Sequence, residues 1–157
     1  MNIFNKISNF GYVGADISFK LKDMDTREKV VIAPAGQSDK KEYLPLYSCL
    51  EPISGVVHIS LHDGKKVEHT GIKLEAVGQV EVIGEGRKKD KVKFSFLVKE
   101  LRAPGTLFQS EVHNFDFNIE RVHETYRGKH LNIRYFCRLT ISRAYGNNIV
   151  KEIGKLI

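Results

Sequence analysis

The segment that most constrains this chain is His130–Arg143. Leu131, Ile133, Tyr135, Cys137, Leu139 and Ile141 occupy every second position, with Asn132, Arg134, Arg138, Thr140 and Ser142 between them. Phe136 is the only large apolar residue out of phase. Alternation this long specifies one extended strand with one face in a core and the other largely wet. A helix would scatter the six apolar residues around its circumference. A one-residue slip would drive Arg134 and Arg138 inward, so the register is strongly fixed. The rest of the chain is expected to be arranged around this strand as an antiparallel β protein.

Other stretches repeat the pattern. Val13, Ala15, Ile17, Phe19 and Leu21 predict a first strand, with a turn over Asp23–Arg27. Lys29–Ala33 and Tyr43–Tyr47 predict two short strands, the second at an edge where Pro45 is tolerated. Val57, Ile59 and Leu61 lead into His62-Asp63-Gly64-Lys65, whose Asp-Gly centre is a hairpin signal. Ile72–Ile83 alternates again. Ile72, Leu74, Ala76, Val80 and Val82 share one face, and Lys73, Glu75, Gln79 and Glu81 the other. Gly78 falls on the apolar face, which implies a bulge or a close approach. A tip at Gly84-Glu85-Gly86 turns into a return strand carrying Val92, Phe94, Phe96 and Val98, and Phe115, Phe117 and Ile119 mark one more. About eight such segments, separated by turn signals, indicate an all-β sandwich. The tail is open to two readings: Ile149, Val150, Ile153, Leu156 and Ile157 fit helical spacing, and the same stretch also reads as a last strand or a linker.

At 157 residues and 41% hydrophobic content the chain can bury a core as one domain. No apolar run approaches a membrane span, and Met1–Phe10 is too polar for a secretory signal. Two unpatterned cysteines, Cys49 and Cys137, fit a reduced, cytoplasmic protein. The net charge of +6 favours acidic partners or anionic membrane surfaces. Its one dense cluster is Arg87, Lys88, Lys89 and Lys91, flanked by strand pattern and lacking the interleaved aromatics of a nucleic-acid face. No nucleic-acid partner is expected.

Candidate chemistry is sparse. His58, His62 and His69 lie close in sequence around Asp63, but without the paired cysteines of a zinc site, and they read as solvated strand histidines. Ser110, His113 and Asp116 resemble a nucleophile–base–acid set on paper, yet they fall on one local strand with no strained nucleophile turn and no oxyanion donors. Gly84-Glu85-Gly86 is too short and acidic to cradle phosphate. Glu120 and Glu124 sit near Arg121 and Arg127 as a surface charge cluster. Neither cysteine has a cationic helix-end environment. No catalytic residue, metal or cofactor is expected.

Several collinear segments resemble the vacuolar protein sorting twenty-six family, the arrestin-like subunit of the retromer coat. They are Glu68-His69-Thr70-Gly71-Ile72, Val77-Gly78-Gln79-Val80-Glu81, Leu97-Val98-Lys99-Glu100-Leu101 with Pro104-Gly105, Phe115-Asp116-Phe117, Glu124-Thr125-Tyr126 with Gly128, and Arg134-Tyr135-Phe136 running into Thr140-Ile141. Phe10-Gly11 and Ser54-Gly55-Val56-Val57 also fit.

The resemblance implies two tandem arrestin-like sandwiches, of which only the first is present. Residues 1–144 would form this immunoglobulin-like sandwich, and 145–157 an exit segment toward the second. It further implies a non-enzymatic scaffold in the retrograde sorting of membrane cargo, peripheral on endosome membranes. Its partners would be the large helical-solenoid subunit (through the second sandwich), a sorting nexin and cargo tails. By position in the family pattern, Tyr145, Ile149, Val150, Lys151 and Glu152 would lie beside the cargo site. Arg87, Lys88, Lys89 and Lys91 would form a membrane-facing loop, for which the plainer reading is a solvated hairpin tip. The alternatives are a stand-alone arrestin-clan adaptor for receptor tails, a commander/retriever-type subunit, or a carbohydrate- or lipid-binding sandwich, which fold alone does not separate.

Overall fold

The computed structural model describes residues 14–32, 39, 41–84, 89–118 and 123–155. These form twelve strands, the longer ones following alternating or β-branched runs: β1 (Ala15–Leu21), β2 (Lys29–Ile32), β3 (Glu42–Pro45), β4 (Ile53–Leu61), β5 (Val67–His69), β6 (Gly71–Ile83), β7 (Lys89–Arg102), β8 (Gly105–Leu107), β9 (Glu111–Phe117), β10 (Tyr126–Arg127), β11 (Leu131–Ser142) and β12 (Ile149–Lys155). The described residues contain no helix, so none is long and apolar enough to cross a membrane. All pairing among them is antiparallel. The fold class is the expected all-β antiparallel sandwich.

Two sheets make the sandwich. One has the order β1-β4-β9; the other runs β10-β11-β6-β7, with β12 also on β11. The expected keystone is β11, which has β6 on one side and both β10 and β12 on the other. Ile72, Leu74 and Ala76 of β6 and Cys137, Leu139 and Ile141 of β11 are each no more than 1% exposed. They meet Ile17, Leu21, Ile53, Val57, Ile59, Phe115 and Phe117 of the opposite sheet. Burying each large aliphatic side chain stabilises the fold by about 1.5–3 kcal/mol, so this interface fixes which face of each strand points inward.

Three expectations need correction. The Asp63-Gly64 turn forms, with Lys65 N donating to His62 O at 3.0 Å. It closes no hairpin, because β4 pairs with β1 and β9 while β5 goes on to β8. The return strand does not keep its apolar residues on one face. The register with β6 jumps between Gly78 and Gln79, which leaves Phe94 as the bulged residue and puts Phe96 and Val98 on the outer face, opposite Val77 and Glu75. The outer face of β6 and β11 is not wet: Glu75, Val77, Gln79, Glu81, Phe136 and Thr140 are all buried. Of the readings open for the tail, the last strand is the one formed: β12, seven residues in register with Tyr135–Ile141. A helix that short is marginal, whereas the long free side of β11 offers a ladder for every backbone group.

Gly78, beside the bulge, allows a close approach. A Cβ there would come within 2.8 Å of both the Phe94 and the Tyr135 rings. Those rings stack edge-to-face with centroids 5.7 Å apart, and the Tyr135 hydroxyl donates to His123 O at 2.7 Å.

Candidate protein-binding site

Tyr145 stands 88% exposed at the tip of the β11–β12 connection. That connection is shaped by Gly146 at φ 82° and by Arg143 N donating to Asn148 Oδ1 at 3.0 Å. Ile149 is turned into the core, in phase with Ile153. Val150 and Lys151 are half-buried, and Glu152 lies on the outer face opposite Arg138. The nominated tail residues therefore divide between a loop tip, the core and the outer face.

Glu152 begins a charge ladder that sequence reasoning missed. Its carboxylate accepts from Arg134 Nη2 and from Arg138 Nε, each at 2.9 Å. Arg134 Nη1 also reaches Glu81 Oε1 at 3.3 Å, and Gln79 Nε2 donates to the same oxygen at 2.8 Å. Arg138 Nη1 lies 3.8 Å from Glu75 Oε2, and the other Glu75 oxygen faces Lys73 at 3.6 Å and Lys93 at 4.0 Å. Opposite charges thus alternate across β12, β11, β6 and β7. Beneath them Phe136 is fully buried, with the guanidinium carbons of Arg134 and Arg138 at 4.4 and 5.0 Å from its ring centre. The only signal in the sequence was opposite charge at alternate positions of two strands, which becomes a ladder once β6 and β11 are known to pair. Such a ladder pins register and rigidifies a flat surface.

The other nominated groups are dispersed. Arg87 and Lys88 lie outside the described residues. Lys89 opens β7 opposite Ile83, and Lys91 is exposed opposite Glu81. Ser110 Oγ accepts from Leu61 N at 2.9 Å, His113 pairs with Glu111 at 2.8 Å, and Asp116 accepts from Ser54 Oγ at 3.0 Å, so these three do not form a catalytic set. His62 pairs with Asp16 at 3.0 Å, His58 is exposed, and His69 is buried with Nδ1 lacking a hydrogen-bond partner. Burial pushes the His69 imidazole below its ordinary pKa against the pull of Glu111, and Arg102 adds to the fall. Burial would push Glu111 up, but hydrogen bonds from Arg102 and His113 outweigh it and hold the carboxylate low. Cys137 is in the core and Cys49 on the surface.

The model of the family described as vacuolar protein sorting-associated protein 26 matches residues 12–157. The chain belongs to that family. It is 37% identical to vacuolar protein sorting-associated protein 26 of Dictyostelium discoideum over 154 residues, covering 97% of this chain and 42% of that protein. The Plasmodium falciparum protein of the same name is 38% identical, with 92% of this chain and 48% of the relative covered. Protein 26B of Danio rerio is 39% identical, with 96% and 45% covered. The chain spans less than half the length of these relatives. In this family member, the segment Arg134-Tyr135-Phe136 that helped carry the resemblance is the part of β11 that holds the charge ladder and the Tyr135 clasp.

Proposed function

We propose that this chain is the first sandwich of a retromer coat subunit, acting as a non-enzymatic adaptor in the retrieval of membrane cargo from endosomes. Membership of residues 12–157 in the vacuolar protein sorting-associated protein 26 family carries this reading. In it, the large helical-solenoid subunit docks on a second sandwich. A sorting nexin and cargo tails engage the side near Tyr145 and Glu152, and the start of β7 at Lys89 faces the anionic membrane. The exposed tip at Tyr145 and the half-buried Val150 and Lys151 support the second of these assignments.

Affinity purification of the uninterrupted gene product from its own cells, with partners identified by mass spectrometry, tests the proposal. The expected result is co-recovery of a large helical-solenoid protein and a small phosphoesterase-fold protein. Recovery of a membrane receptor without either would replace the retromer assignment with a stand-alone adaptor.

A further inference from the structure

The opposite edge of the same sheet is β7. Among the described residues β7 pairs only with β6, so its other side presents unpaired backbone donors and acceptors. The end of β7 is closed against β9, where Lys99 Nζ donates to Asn114 O at 3.4 Å and Arg102 binds Glu111. Among the described residues, Lys91–Val98 makes no such contact along its free side, while Phe94, turned inward, meets the His123 ring edge-on with centroids 5.2 Å apart. Its outer-face row reads Lys91, Lys93, Phe96, Val98, with Phe96 58% and Val98 46% exposed and the Lys93 ammonium 5.8 Å from the Phe96 ring centre. Leu97, on the other face, is also exposed. A long, open, partly apolar edge is what soluble proteins usually blunt.

We infer that Lys91–Val98 accepts an extended acidic–apolar peptide of a partner protein as an added strand. Backbone pairing would supply the affinity and alternate side chains the selectivity. An added strand places every second side chain on the outer face. Carboxylates then meet Lys91 and Lys93, and aliphatic groups meet Phe96 and Val98. Charge decides between occupants. Lys91 is exposed, and an antiparallel second copy of this chain of net charge +6 would set Lys91 against Val98 and Lys93 against Phe96, so neither the cations nor the apolar pair would meet a complement. The inference does not rest on the retromer reading, because β12 and the Tyr145 tip lie across the sheet.

The test uses the 157-residue chain and a fluorescein-labelled octapeptide in which two isoleucines and then two glutamates alternate with threonines. Saturable anisotropy, together with slowed hydrogen exchange confined to residues 91–98, is expected. Replacing the two peptide glutamates with lysines is expected to weaken binding at least tenfold. K91E should weaken the acidic peptide at least fivefold and strengthen the lysine peptide. F96S, at a largely exposed site, should weaken both. Lys93 is left intact because it also neutralises the buried Glu75. Equal binding of both peptides, protection elsewhere than residues 91–98, or no binding at all would overturn the inference. Protection of this edge that grows with protein concentration in the absence of peptide would also overturn it, in favour of a second copy.

Discussion

β6 and β11 lie side by side for twelve residue pairs, yet their two ends have different surroundings. At one end Ile72, Leu74 and Ala76 sit beside Ile141, Leu139 and Cys137 under the opposite sheet, and all are fully buried. At the other end the same alternation continues through Val80, Val82, Ile133 and Leu131, which stand outside the core cluster of the described residues: the other three are half-buried and Val82 is 44% exposed, while its neighbour Glu81 is 5% exposed. The closed end is held by apolar burial, and the open end by side chains lying across the outer face. Period two therefore tells which residues share a face, and the opposite sheet decides which face is dry.

The largest expected effect breaks this comparison at the closed end. Leu139→Ala should cost about 2–5 kcal/mol, because the methyl groups removed leave a cavity that two packed sheets fill poorly. Val82→Ala, in phase with Leu74 and Ala76 on β6 but half in water, should stay within about 0.5 kcal/mol. Urea denaturation of both variants measures the contrast. Equal losses would mean that the open end is covered after all.

Next come the contacts that hold the open end. Gly78→Ala should cost about 1–3 kcal/mol, since its methyl would overlap the Phe94 and Tyr135 rings in an already packed site. Glu81→Ala should cost a similar 1–3 kcal/mol, roughly the penalty for leaving Gln79 and Arg134 short of a buried acceptor. Glu152→Ala, at the wetter end of the ladder, should cost under about 1 kcal/mol. If Glu152 proves more costly than Glu81, the ladder is anchored from β12 inward rather than from β6 outward.

The closed end was legible from the sequence, because there strand phase and burial agree. Leu139, Ile141 and Leu74 could be placed inward from spacing alone. Gly78 was legible as a break, since a glycine on the apolar face of a strand marks a bulge or a close approach. The ladder was not legible. Glu75, Gln79 and Glu81 read as a solvated face until β11 supplies Arg134 and Arg138 in register, and strand partnership is non-local. The same gap turned Asp63-Gly64 into an expected hairpin, when the turn only redirects the chain toward β8. The tail stayed open for a different reason: Ile149 and Ile153 satisfy period two, Ile149 and Val150 with Ile153 satisfy a helix, and only the free side of β11 chooses between them.

The smallest expected effect probes how dry the closed end is. His69 on β5 is buried beside Arg102 and Glu111, where the end of β7 meets β9, and its Nδ1 has no partner. Burial depresses its folded pKa, so folding gains nothing from this group above the unfolded value of about 6.5. As the pH falls below that value, the unfolded chain takes up a proton that the folded chain refuses, and stability drops until the folded pKa is passed. Glu111 is also depressed, but it acts lower, below the ordinary carboxylate value, where its pairing with Arg102 and His113 is lost. The two windows can be separated with His69→Leu, which removes the proton and the unpartnered nitrogen while keeping an apolar group in the site. Urea midpoints at pH 7.5, 6.5 and 5.5 should fall less steeply for the variant than for the parent, with the two close together at pH 7.5. Identical slopes would show that water reaches His69, and the boundary between closed and open ends would then have to be drawn nearer to Ile72.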